Sequence, residues 1–256
     1  MMELGLCTMS FQQQTPEQVL EICRGTKIKV IEWSGRQQHL PPETAAGRVK
    51  EIASRCRDMG LAILSYGSYF GVFNDEPETF AGWLDVAEGL GCGTVRVWSG
   101  HWNDPGELSE LSSGQVERLV DRTARVAAMG AERGLRVAFE YHGRTPTCGA
   151  EEVLGVIEKA DHANMYTYWQ MLPEVRRSVA ENLADIDRVW PRLAYVHCHY
   201  FIGDELHPMR KGDALWRPVV AKLKKKSYSG PLYLEYYKDY TPALLQADLD
   251  YLESLL

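Results

Sequence analysis

Short runs of apolar and β-branched residues recur along the chain: LGLCT from position 4, KVIEW from 29, LAILSY from 61, TVRVW from 94, RVAFE from 136, MYTYW from 165, LAYVH from 193 and PLYLEY from 231. They are nearly continuous rather than alternating, as strands covered on both faces are. Between them, TPEQVLEI, PPETAAGRVKEIASRCRDMG, EPETFAGWLDVAEGLG and SGQVERLVDRTARVAAMGAERG carry helical periodicity. These segments open on Pro, Ser or Thr ahead of an acidic first turn, and several close at Gly60, Gly91 or Gly134, where a left-handed cap is expected. Strand then helix, eight times over, predicts a single (β/α)8 TIM barrel spanning residues 1–256. The competing doubly wound sheet brings a glycine-rich turn after its first strand. Here that turn is TMSFQQQ, and the one glycine cluster, GLGCG at 89–93, leads into a strand and reads as a helix stop.

Composition narrows the class of partner. With 45% hydrophobic and 25% charged residues the chain has material for a large core. A net charge of −7 argues against a phosphate backbone as partner, which requires clustered Lys and Arg. The one basic run, KLKKK at 222–226, sits where a helix ends and cations are favoured. Six scattered cysteines signal neither a disulfide framework nor a zinc knuckle. The N-terminus lacks a basic leader, and no apolar run reaches the roughly 18 residues of a membrane span. The expectation is a soluble cytoplasmic protein with no nucleic-acid or membrane partner.

In a barrel, the C-terminal strand ends and the loops after them form the active face. The polar residues there are Glu32, His101, Glu140, His142, Gln170, His197, His199 and Glu235. A side-chain period of two puts Glu140 with His142, and His197 with His199, on one face of their strands. Buried carboxylates on the fifth and eighth strands would repel without a positive charge between them. A divalent cation supplies it, and carboxylate, imidazole and carbonyl oxygen suit Mn, Mg, Co or Zn. Taken singly, each acid could instead be paired with an arginine, and Glu32 and His101 could be structural. Trp33, Trp98 and Trp169 could be core or pocket wall.

This order of ligands resembles the sugar phosphate isomerase/epimerase family of xylose isomerase-like TIM barrels, and the likeness covers almost the whole chain. GLRVAFEYHG resembles the family's fifth strand, LAYVHCHY its seventh, usually ending H-x-K-D, and YSGPLYLEYY its eighth. The resemblance implies that Glu140 and Glu235 bind the metal and move protons. It implies His197 as a further ligand if VHCHY is read as H-x-K-D, and His199 if the ketose epimerases are the better guide; His197 is preferred. The sixth strand departs from the pattern N-V-G-L-x-x-D-x-x-H: NMYTYWQMLP puts Gln170 at the Asp, a neutral ligand that binds a hard cation less tightly.

What the resemblance implies is a metal-dependent isomerase or epimerase of a sugar, sugar phosphate or related hydroxy-ketone, working through an enediolate with one divalent cation. In that reading His142, His199, Glu32, Trp33, Trp98, His101 and Trp169 contact a small carbohydrate substrate, and homo-oligomers are usual. A dehydratase on the same site and a sugar-binding barrel without catalysis are the alternatives. A DNA-cleaving relative would need more His and Asp ligands and a basic face.

Overall fold

The computed structural model describes residues 2–173, 177–236 and 240–256. The eight apolar runs become the parallel barrel strands β1 Leu4–Cys7, β2 Val30–Ser34, β3 Ala62–Gly71, β4 Thr94–Trp98, β5 Arg136–Phe139, β6 Met165–Trp169, β7 Leu193–Cys198 and β10 Leu232–Leu234. Strand β10 pairs with β1, Leu4 beside Leu232 and Leu6 beside Leu234, and this closes the barrel. A small antiparallel hairpin, β8 Phe201–Ile202 with β9 Glu205–Leu206, follows β7. Strands of two residues are too short to leave a hydrophobic period, so the sequence pattern does not betray them.

The helices are α1 Pro16–Cys23, α2 Ala46–Asp58, α3 Phe80–Leu90, α4 Ser113–Glu132, α5 Ala150–Ala160, α6 Val179–Val189, α7 Asp213–Lys225 and α8 Pro242–Glu253. Their boundaries follow from local chemistry. Thr15 with Gln18, Ser112 with Gln115 and Ser178 with Glu181 each form a reciprocal capping box at a helix start. Gly60, Gly91 and Gly134 take φ of 70°, 71° and 69° where helices stop. Helix α2 starts later than PPET suggests, because Thr44 Oγ1 donates to the Pro41 carbonyl at 2.6 Å and closes a turn first. Lys222, Lys224 and Lys225 occupy the last turn of α7, at the negative end of its dipole.

Apolar packing divides into two bodies. The larger lies between strands and helices, where Trp169 of β6 meets Trp216 of α7 edge-on at 5.8 Å. The smaller fills the barrel and contains Val30, Ala138, Tyr168, Tyr195 and Tyr233. Tyr233 fits because position 5 is glycine, where a Cβ would stand 2.6 Å from its ring. All six cysteines are unpaired, and no helix is long and apolar enough to cross a membrane.

Candidate active site

Alternation along the strands aims a set of polar side chains into the upper barrel. A cavity of about 310 Å³ opens there, lined by Glu140, Gln170, His199 and Glu235, by Trp98, Trp102 and His142, and by Met9, Gln12, Arg36, Tyr69, Arg96 and Pro173. That volume lies at the lower end of the range of small-molecule sites. Aromatic packing shapes one wall: His142 stacks on Trp98 with ring centroids 5.2 Å apart and touches Trp102 at 5.0 Å.

Four charged groups with almost no solvent contact lie together here, Arg96 and Glu140 in the cavity lining and Glu32 and His197 behind them. Arg96 donates from Nη1 to Glu140 Oε2, which also accepts from Trp98 Nε1 at 2.8 Å. His197 sits between the two acids, Nε2 at 3.1 Å from Glu32 Oε1 and Nδ1 at 3.3 Å from Glu140 Oε1, the second an ion-pair contact rather than an aligned hydrogen bond. Glu32 Oε2 accepts from Tyr168 OH at 2.6 Å and from Ser65 Oγ at 2.7 Å. Burial alone would raise both carboxyls, but Arg96 and His197 outweigh it and hold Glu32 at about 2 and Glu140 well below the usual carboxylate range. Burial would lower the His197 imidazole; its two carboxylate neighbours raise it to about 10. The group is therefore two anions against two cations.

Arg96 answers the question the sequence left open, what positive charge compensates the fifth-strand acid. Sequence reasoning passed over it inside the apolar run TVRVW. Its one available signal was parity, because Arg96 shares a face with Thr94 and Trp98. Gly67 makes the room: a Cβ there would stand 2.6 Å from Arg96 Nη2. Arg36, Tyr69 and Trp102, which also line the cavity, were missed for a different reason, since they come from strand β3 and from loops.

The fit of a divalent ion rests on an orphaned nitrogen. His199 Nε2 bonds to the Met171 carbonyl at 2.9 Å, while buried Nδ1 has no hydrogen-bond partner and lies 3.6 Å from Glu235 Oε2. An imidazole oriented through one nitrogen with the other presented beside a carboxylate is how ligating histidines are held. Gln170 is oriented likewise, Nε2 donating to the Tyr141 carbonyl at 2.8 Å. One potential ligand atom each of Glu140, His197 and Glu235 also lies within 4.8 Å of the others, and the same holds for Cys7, Glu32 and His197. Both ring nitrogens of His197 already face carboxylates, however, and burial pushes the Cys7 thiol up, away from the thiolate a metal needs.

Other residues singled out in the sequence lie elsewhere. Trp33 and Trp169 follow or precede an inward-facing residue and so face the helices, inside the outer core. The pocket walls expected of them are made by Trp98 and Trp102. His101 is about half exposed, with Nε2 at 3.3 Å from Asp75 Oδ1, outside the cavity lining. Glu32 is buried in contact with His197 and outside the cavity lining.

Comparison with known proteins agrees with this architecture. A solved structure of the probable 3-DHS dehydratase AsbF from Bacillus anthracis superposes with a TM-score of 0.79 at 16% identity, covering 98% of this chain and 99% of that one. D-Psicose 3-epimerase of Clostridium cellulolyticum H10, crystallised with D-tagatose, gives 0.74 at 14% identity, with 100% and 99% covered. A Mycobacterium smegmatis xylose isomerase-like barrel crystallised with magnesium gives 0.75 at 14%, with 99% and 96% covered. Among characterised sequences, inosose dehydratase of Geobacillus kaustophilus (strain HTA426) is 24% identical over 194 residues. That match takes in 64% of this chain and 62% of the relative's length. The family model described as xylose isomerase-like TIM barrel matches residues 15–255, and the chain belongs to that family.

Proposed function

We propose that the protein is a divalent-metal-dependent enzyme that moves a proton at the carbon next to a carbonyl in a sugar or related hydroxy-ketone, as an isomerase or epimerase. The observation that carries this reading is the convergence of Glu140, Gln170, Glu235 and the orphaned His199 Nδ1 on one cavity at the C-terminal end of the barrel. Glu140, Gln170, His199 and Glu235 would hold the cation, with His199 taking the place of His197, whose nitrogens both face carboxylates. Such an ion supplies positive charge for the developing enediolate oxygens, a stabilisation of several kcal/mol. Glu235 is the base, because its only polar side-chain contact among the described residues is the long one to His199. Glu140 is pinned by Arg96, Trp98 and His197 and serves to anchor. His142, stacked on Trp98, orients a substrate hydroxyl.

One observation favours elimination of a hydroxyl as a second reading. With Glu140 engaged, Glu235 is the one carboxylate of the cavity lining free to act among the described residues, and a single base suffices for proton abstraction followed by loss of a hydroxyl, whereas epimerisation needs a second group on the opposite face. The deciding experiment has two parts. Elemental analysis after dialysis against trace Mn, Co, Mg and Zn is expected to give near one ion per chain, lost in a Glu140→Ala, Glu235→Ala double variant. Ketoses and their acids, screened in deuterated water, then separate deuterium gain at carbon from loss of water. Absence of a bound ion in the wild-type protein overturns the reading and leaves a sugar-binding barrel.

A further inference from the structure

Each buried charge beside the cavity has a counter-charge, but one cation at its mouth does not. Arg36 lines the cavity, and among the described residues no carboxylate lies within ion-pair distance of it and no oxygen accepts from its Nη groups. Arg24, Arg48, Arg122, Arg125, Arg133 and Arg217 each reach an acid; among the described residues the exposed Arg57, Arg118, Arg144 and Arg210 do not, but unlike Arg36 they lie outside the cavity lining. Arg36 is nevertheless held in place. Its backbone N–H donates to Ser34 Oγ at 3.2 Å, and its carbonyl accepts from His39 N at 2.8 Å. Its Nε donates to Tyr69 OH at 3.0 Å, and the guanidinium lies 4.8 Å from the centre of the Tyr69 ring. The tyrosine hydroxyl is fixed in turn against Met9 Sδ at 3.0 Å. An arginine anchored by Nε and by stacking, with its terminal fork unengaged, presents the geometry that binds carboxylate or phosphate through two parallel hydrogen bonds.

Behind the same tyrosine stands a second guanidinium. Arg96 lies 5.9 Å from the Tyr69 ring centre, and its Nε and Nη2 have no hydrogen-bond partner among the described residues. One flank of the cavity therefore runs Arg36, Tyr69, Arg96, distinct from the flank that carries Gln170, His199 and Glu235. A neutral sugar leaves that fork to water, whereas an acidic one completes it.

We propose that Arg36 is a specificity-determining residue and that the substrate is an anionic polyhydroxy compound, a sugar acid or sugar phosphate, whose charged end meets the Arg36 fork. This inference rests on the proposed function for what happens at the other end of the molecule. Its test uses binding and needs no turnover. The full chain, in buffer containing Mg2+, is titrated calorimetrically with two pairs of probes, D-glucuronate against D-glucose and D-fructose 6-phosphate against D-fructose. The acid of at least one pair should bind roughly ten- to a hundredfold more tightly than its neutral partner, the range given by a hydrogen-bonded charge pair. Which pair discriminates tells carboxylate from phosphate. Arg36→Gln should erase that preference while leaving the affinity for the neutral probe in place, and Arg36→Lys should keep part of it. A general structural defect would weaken both members of a pair together. Equal binding of acid and neutral probes by the wild-type chain, no binding of either acid, or a preference that survives in Arg36→Gln overturns the inference. Acid preference without a bound metal defeats the proposed reaction alone, and a bound metal without acid preference defeats this inference alone.

Discussion

Replacing Arg96 by methionine removes a fully buried cation and leaves Glu32 and Glu140 with only the His197 imidazolium between them. Glu32 is held at about 2 against an ordinary 4.5, with Arg96 the leading group that lowers it. At 1.36 kcal/mol per unit that difference is about 3 kcal/mol of stability at neutral pH. The cost of stripping one partner from a buried pair, about 3–5 kcal/mol, points to the same size. For a chain this long it is a fall in Tm of roughly 10 °C. The sign against pH follows from the depressed carboxyl. Its contribution is complete above 4.5 and is lost as pH falls toward 2, so the gap between wild type and variant narrows on acidification. The assay is urea denaturation of wild type, Arg96→Met, Glu140→Gln and the double variant, at neutral pH and at about pH 4. The two substitutions should be less than additive, because the second removes the charge that the first exposes. A loss below about 1 kcal/mol, or strict additivity, would refute the compensation argument.

Three further outcomes can be checked. His39 is buried, with Nδ1 accepting from the Thr8 hydroxyl at 3.0 Å and Nε2 donating to the Phe11 carbonyl at 3.2 Å, and burial lowers it from 6.5 to about 4. Its stabilisation is complete above 6.5 and disappears as pH falls to 4, about 3 kcal/mol in all; denaturation profiles of His39→Gln should lose this acid sensitivity, and an unchanged profile would contradict it. His199→Ala should weaken divalent-ion binding at least tenfold by equilibrium dialysis, whereas His197→Ala should keep the ion and lose a few kcal/mol of stability; the reverse pattern would restore His197 as the ligand. Trp169→Ala should cost about 3–5 kcal/mol, measured by denaturation, and leave ion binding intact, since its ring packs on Trp216 and not on the cavity.

All eight barrel strands are legible because each must be apolar on both faces, and the starts of α1 and α4 are legible because Thr15 and Ser112 cap them, whereas the PPET turn obscures the start of α2. The candidate site is only partly legible. Glu140, Gln170, His199 and Glu235 were found at strand ends and do share one cavity. Reading Glu32 and Trp33 together as pocket residues, and Trp169 beside Gln170, ignored the strand's own rule that neighbours face opposite ways. Arg96 was hidden by the opposite prejudice, since a charge inside an apolar run looks like an edge or an accident until its partners are seen. Arg36 and Trp102 reach the cavity from loops, where no period exists to mark them.

The absence of a side chain at position 67 sets the order in which this site could change over evolutionary time. Any residue larger than glycine there meets the Arg96 guanidinium, so position 67 is closed to variation while Arg96 remains. Loss of Arg96 in turn costs about 3–5 kcal/mol while Glu140 keeps its charge, because the remaining carboxylates would outnumber the cations around them. Neutralising Glu140 is thus the first step, loss of Arg96 the second and a side chain at 67 the third. A descendant carrying the third change without the first two would have to push the buried Arg96 guanidinium away from its place beside Glu140, a loss of stability that the other order avoids.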